Sequence, residues 1–157
     1  MRHLEVMPLS GIGRLRFGHG PADVRGYIGE EEVVEPWMAG DLRAALTFSG
    51  LIFFFDRYDR RGPTKDARLV EIQVHQRSGL RLFERPLESW TRDELIQELT
   101  EQRVAWSTCP EADILIDSMS LQISFNGDVA GFVAIWEPEM ADVSSSDSDR
   151  PWWKVWG

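Results

Sequence analysis

The stretch from Met119 to Trp136 constrains the fold of this chain more than any other. Met119, Leu121, Ile123 and Phe125 alternate with Ser118, Ser120, Gln122 and Ser124, and a period of two puts the apolar set on one face of a strand and the polar set on the other. Asn126-Gly127-Asp128 follows, a strong hairpin signal because these residue types reach positive φ at little cost. The return strand, Val129 to Trp136, has two registers. A two-residue loop turns Ala130, Phe132, Ala134 and Trp136 toward the core, whereas a three-residue loop buries Val129, Val133 and Ile135 and frees Trp136. The second is preferred because it buries β-branched side chains.

Further elements read in the same way. Gly11-Ile12-Gly13 opens a short strand, Arg14–Phe17, with Leu15 and Phe17 facing inward. Pro21 and Gly29 bracket a helix, Pro21–Ile28, since proline suits a first helical turn and glycine the position after the last. Its apolar face is Val24, Tyr27 and Ile28. Leu51–Phe55 has no alternation, which indicates a strand covered on both faces. Asp56–Pro63 reads as an exposed loop, and Leu69–His75 as its partner strand, with Val70, Ile72 and Val74 on one face and Glu71, Gln73 and His75 on the other. The segment near Trp37–Leu46 has no clear period. In the second half, Leu80-Arg81-Leu82-Phe83 echoes Leu15-Arg16-Phe17. Thr91 with Glu94 has capping-box spacing, and Trp90 with Leu95 the spacing of a hydrophobic staple. They start a helix running from about Arg92 to Gln102 that buries Leu95, Ile96 and Leu99.

Each half therefore reads strand, helix, hairpin. The expected fold is α+β: a single domain over residues 1–140, with half-repeats at about 11–76 and 79–137, one antiparallel sheet, and both helices packed on one face. Residues 141–157 form an acidic linker and a Trp-rich tail that is expected to dock on the domain.

Ile12-Gly13-Arg14-Leu15-Arg16-Phe17-Gly18, then Asp23-Val24-Arg25 and Ile28-Gly29, resembles the opening of small bacterial domains. These are the β-lactamase-inhibitor-protein-like, outer-membrane-assembly-lipoprotein-like and immunity-type domains. The hairpin Ser120–Ile135 is similar to their closing strands. The matching residues are structural, so the resemblance implies a binding or inhibitory scaffold and carries no functional residue over.

Composition narrows the function. With 17 Lys+Arg against 26 Asp+Glu, the net charge is −9, which argues against a nucleic-acid binder, whose affinity comes mostly from neutralising phosphates. A single cysteine, Cys109, leaves no disulfide framework or multi-cysteine zinc site. His3, His19 and His75 do not pair at metal-ligand spacing, and Glu71 lies about 13 Å along the strand from His75. No Gly-rich phosphate motif is complete, and Cys109 has no histidine near it in sequence. The expectation is a non-enzymatic protein without metal or cofactor. No apolar run approaches the roughly 18 residues of a membrane span, and with no secretory signal at the start the expected compartment is the cytoplasm.

Charge is unevenly placed. From Glu30 to Asp41 there are five acidic residues and no basic one, while Arg57 to Arg68 holds five basic and two acidic. Glu30, Glu31, Glu32 and Glu35 are the candidate acidic contact surface. Tyr58, Arg60 and Arg61 have the composition of an interface hot spot, and Trp136, Trp152, Trp153 and Trp156 are candidate aromatic anchors. The expected function is protein binding, in an immunity- or inhibitor-type protein that neutralises a basic bacterial partner such as a toxin domain. The alternative is a small-ligand domain with an aromatic pocket between helix and sheet.

Overall fold

The computed structural model describes residues 3–108 and 114–138. In chain order the strands are β1 (Leu4–Met7), β2 (Gly11–Ile12) and β3 (Leu15–Arg16), followed by helix α1 (Pro21–Ile28). Then come β4 (Ala45–Phe48), β5 (Leu51–Phe55), β6 (Tyr58–Asp59), β7 (Gly62–Pro63) and β8 (Leu69–His75). The second half contains β9 (Leu80–Leu82), β10 (Arg85–Pro86), helix α2 (Arg92–Glu101), β11 (Ser107–Thr108), β12 (Ile114–Ile116), β13 (Leu121–Asn126) and β14 (Val129–Trp136). Single 3-10 turns at Leu87–Ser89 and Asp117–Met119 complete it.

This corrects the α+β expectation. The described residues are mostly β, with 14 strands in three sheets and two α-helices of 8 and 10 residues. The expected single sheet is in fact divided. A seven-stranded sheet runs β11-β12-β13-β14-β8-β5-β4, a five-stranded sheet runs β10-β9-β1-β2-β3, and β6 and β7 form a separate hairpin. The opening strands of the two halves do not join the large sheet. They pair through β1, which lies parallel to β9 with Leu4 opposite Leu80 and Val6 opposite Leu82. β1 was not foreseen, because a four-residue strand whose partner lies some 75 positions away has no local signature.

One hydrophobic cluster joins both sheets and both helices. Leu4, Val6, Ile12, Leu15, Leu80 and Leu82 of the small sheet share it with Phe48, Phe53, Ile72, Val74, Ile123, Val133 and Ile135 of the large one, and with Val24, Ile28, Leu95 and Leu99 of the helices. Burial of this kind contributes about 25 cal/mol per Å² and is the main stabilising term. α1 starts and stops where proline and glycine predict, and Gly29 takes φ 65°. α2 starts at Thr91, whose hydroxyl accepts from the Glu94 N–H at 3.2 Å. Glu94 itself turns to Arg85, at 2.7 Å.

Two bulges shift the expected faces. Between Phe54 and Phe55 the register against β8 slips, so Phe54 opposes Glu71 and Phe55 opposes Leu69. Leu69 therefore takes the inward place expected for Val70. At the β13–β14 hairpin the loop has two residues, since Asn126 pairs with Val129. A bulge then intervenes: Phe125 opposes Ala130 and Ser124 opposes Phe132. The phase changes at Gly131, so Val133 and Ile135 are buried as preferred while Val129 is 38% exposed, contrary to expectation.

Candidate functional site

The acidic connector leaves α1 at Glu30 and crosses the edge of the large sheet, where the Val33 N–H donates to the Thr47 carbonyl of β4 at 3.1 Å. It is pinned at both ends. Glu30 forms an ion pair with Arg77, whose guanidinium also donates to the Ser49 carbonyl at 2.7 Å. Glu35 accepts from the Gly50 N–H at 2.6 Å and from the Trp37 indole at 3.0 Å. These hydrogen bonds, the Trp37 one foremost, hold the Glu35 carboxyl below its ordinary pKa. The Trp37 ring in turn stacks on His75 at 4.6 Å, so His75 is half-buried rather than an open strand residue. Glu32 reaches back to Arg25 at 3.3 Å. Of the four candidate glutamates, Glu31 alone has no partner among the described residues. The others fix the connector in place.

The expected loop at Asp56–Pro63 is a hairpin. Tyr58 pairs with Pro63 and Asp59 with Gly62. Its base is closed by Arg57 on Asp66, at 2.7 Å, and Asp66 is held below its ordinary pKa by the Thr64 hydroxyl first and by Arg57 second. Tyr58 is 46% exposed, with the Arg43 guanidinium 5.3 Å from its ring centroid. Arg43 is oriented there by Asp41, which it grips with Nε and Nη2 at 3.0 and 2.6 Å. That grip pulls the Asp41 carboxyl down to about 2.

The connector and the hairpin meet at a cleft of about 270 Å³ lined by Arg25, Glu32, Leu42, Arg43, Arg60, Arg61, Asp59 and Pro63 among others. Two stretches that read as opposite charge patches thus share one site, with four arginines against two carboxylates on its walls. Arg25 and Arg43 are held by carboxylates, whereas Arg60 and Arg61 form no ion pair among the described residues and are exposed. Val33 and Val34, which directly follow Glu32, are 37% and 72% exposed. Together with Tyr58 they are three of the four large apolar side chains that the described residues leave in water. The chain matches no known family, no curated protein and no solved structure. The site must therefore be read from its own chemistry.

Arg60, Arg61 and Glu32 are brought together in the cleft, Tyr58 lies beside it against Arg43, Glu30 and Glu35 serve the fold, and Trp136 sits half-buried at the end of β14 and does not line this cleft. Trp152, Trp153 and Trp156 lie outside the described residues, as does Cys109. Arg25, Arg43, Val33 and Val34 were missed. The valine pair could have been found, since two adjacent β-branched apolar residues inside a run of glutamates have no solvation reason to be there. A second cleft, about 330 Å³, opens between Gln76–Ser78, Leu87–Glu88 and the β13–β14 turn. Neither cleft is lined by an aromatic ring, and the helix-facing interior is filled by Val24, Leu95 and Leu99, each fully buried. No group of three His, Cys, Asp or Glu that could hold a metal occurs among the described residues, and no described helix is long and apolar enough to cross a membrane.

Proposed function

We propose that the chain is a non-enzymatic protein-binding module whose docking site is the cleft between the acidic connector and the arginine hairpin. The observation that carries this is one cleft that holds exposed Arg60 and Arg61, which form no ion pair among the described residues, beside exposed Tyr58, whose ring Arg43 of the cleft wall faces, and exposed Val33 and Val34, which follow Glu32 of the wall in sequence. Exposed apolar side chains beside Tyr and Arg are the composition of interface hot spots. The walls are already ordered: Arg43 and Tyr58 are fixed against each other, and the connector is pinned by Glu30 and Glu35. Less side-chain freedom is then lost on binding.

Its chemistry suits a partner loop that presents a carboxylate to Arg60 and Arg61 and an apolar side chain to Val34 and Tyr58. A charge of −9 over the whole chain would speed the approach of a basic protein. The glutamates expected to touch such a partner are mostly committed to Arg25, Arg77 and Gly50. An immunity- or inhibitor-type role is one instance of this reading.

The test is photo-crosslinking in cells, with a benzophenone amino acid at position 58 and, as control, at position 97 on exposed α2. A discrete adduct from position 58, lost on Arg60→Glu/Arg61→Glu and absent from position 97, supports the site. No adduct from position 58, or the same adducts from both positions, overturns it.

A further inference from the structure

We infer that the second cleft, between the end of β8, the Leu87–Ser89 turn and the β13–β14 hairpin, binds a short extended peptide segment through one lysine or arginine side chain. Its walls come from distant parts of the chain and are tied together by backbone hydrogen bonds. The Gln76 N–H donates to the Gly131 carbonyl at 2.8 Å, and the Ala130 N–H to the Trp90 carbonyl at 3.0 Å. The cleft is thus preformed, and its volume of about 330 Å³ suits one side chain with its peptide groups.

The uncommitted polar groups select the ligand. Among the described residues, the Gln76 and Asn126 carboxamides and the Glu88 carboxylate have no hydrogen bond or ion pair, and all three residues are exposed. Arg77, the one cation of the lining, is already neutralised by Glu30 and donates to the Ser49 carbonyl at 2.7 Å. The free charge of the cleft is therefore negative. A carboxamide offers donor and acceptor in one plane, the complement of a peptide group. Leu87, Val129 and Ala130 add an apolar wall, with Val129 38% exposed. An apolar wall with one free carboxylate fits an aliphatic stem that ends in a cation. The charge of −9 over the whole chain favours a ligand of the same sign.

Two backbone features hold this arrangement. Gln76 sits at φ 41°, which costs a residue other than glycine stability, and its side chain makes no hydrogen bond within the described fold to offset that cost. Gly131 separates the two carboxamide residues: a Cβ on it would stand 3.5 Å from Asn126 Cβ and 3.5 Å from Gln76 Nε2. Those are ordinary contacts, and its φ is not left-handed, so neither space nor backbone demands glycine. What its bare Cα provides is room between the amides.

The test is an NMR titration of the full chain with the blocked tripeptide acetyl-Gly-Lys-Gly-amide, its arginine, norleucine and glutamate counterparts, and butylammonium. Saturable shifts of residues 76–78, 88 and 126–131 with the lysine and arginine peptides, weaker with norleucine and absent with glutamate, are expected. Glu88→Gln should weaken the lysine peptide by about fivefold, the size an exposed ion pair can give. Gln76→Gly should weaken it too while raising the urea midpoint, since the strained φ is relieved; a purely structural side chain would lower that midpoint. No shifts at about 10 mM peptide, shifts elsewhere, equal binding of the lysine and glutamate peptides, or unaltered binding by either variant overturns the site. Butylammonium binding as well as the lysine peptide overturns the peptide assignment. The site is independent of the connector cleft, so none of these outcomes bears on crosslinking from position 58.

Discussion

Trp90 shows how much one side chain can hold in a chain this size. It is 3% exposed, and its indole donates to the Leu82 carbonyl at 2.9 Å. Phe83 meets its ring edge-on at 6.1 Å, and the Arg85 guanidinium lies 3.9 Å from its centroid. Trp90→Phe keeps most of the apolar contact and removes the donor, so the expected cost is about 1–3 kcal/mol. A lower urea midpoint at unchanged slope would report it; an unchanged midpoint would mean that the hydrogen bond contributes nothing. Glu35 gives a prediction in pH. Its carboxyl titrates below the ordinary 4.5 in the folded chain, so the ionised form favours the native state. That contribution is present above the unfolded value and is lost as pH falls through the folded one. Glu5 has the opposite sign: burial raises its pKa, and stability from it declines as pH rises from 4.5. Glu35→Gln should therefore flatten the loss of stability below about pH 4.5, and Glu5→Gln the loss above it. Denaturant midpoints across pH decide both, and parallel curves for either variant would contradict the assignment.

The turn joining β9 to β10 stores strain that a substitution can release. Leu82 pairs with Arg85 across a two-residue loop, and Phe83 and Glu84 both sit at positive φ, 51° and 64°. A loop of this kind favours Asn or Gly. Phe83 is buried and packs on Trp90, so it stays, whereas Glu84 is exposed and contributes through its backbone to Arg81 and Glu5. Glu84→Asn should stabilise by about 0.5–1 kcal/mol; a lower melting temperature would show that the carboxylate matters more than the backbone. The β4–β5 turn behaves in reverse. Gly50 has φ 72°, and a Cβ there would stand 2.7 Å from the Arg77 side chain and 2.9 Å from the His75 carbonyl. Gly50→Ala is expected to cost more than the roughly 1 kcal/mol of φ alone, and to loosen the Glu35 end of the connector. Elements of this kind explain which parts of the fold can be read from sequence. Thr91, Pro21 and Gly29 act on backbone groups within one helical turn, so their signals are local and the helices lie where expected. The faces of β8 and β14 were read from period two, which bulges at Phe54/Phe55 and Ser124/Phe125 interrupt. Nothing adjacent in the sequence marks those sites except Gly131.

The cleft was only partly readable for a reason that belongs to the whole chain. Tyr58, Arg60 and Arg61 are neighbours in sequence and stood out, but Arg25 comes from α1, Glu32 from the connector and Arg43 from the approach to β4. Only the assembled fold brings them within reach. The same long-range closure governs folding. The two halves meet along β8 and β14, where Ile72 opposes Ile135 and Val74 opposes Val133, and again where β1 lies against β9. All four seam side chains on the large sheet are at most 1% exposed. Either half alone would present two unpaired strand edges to water, β1 and β8 in the first or β9 and β14 in the second, and would expose the two buried aliphatic seam side chains it contributes, a loss of several kcal/mol. A chain of this length has little stability to spare for such a loss. Residues 1–78 and 79–157 expressed separately should therefore lack cooperative unfolding, whereas the intact chain should unfold in one transition. Tryptophan fluorescence reports from six tryptophans in the second half, Trp90, Trp106, Trp136, Trp152, Trp153 and Trp156, and from Trp37 in the first, and far-UV circular dichroism reports from both sheets. Coincident urea curves by the two probes are the expected outcome. A biphasic curve, or a separate half that unfolds cooperatively, would show that the seam joins two independent units and that the cleft, built entirely from first-half residues, could be isolated with its own half.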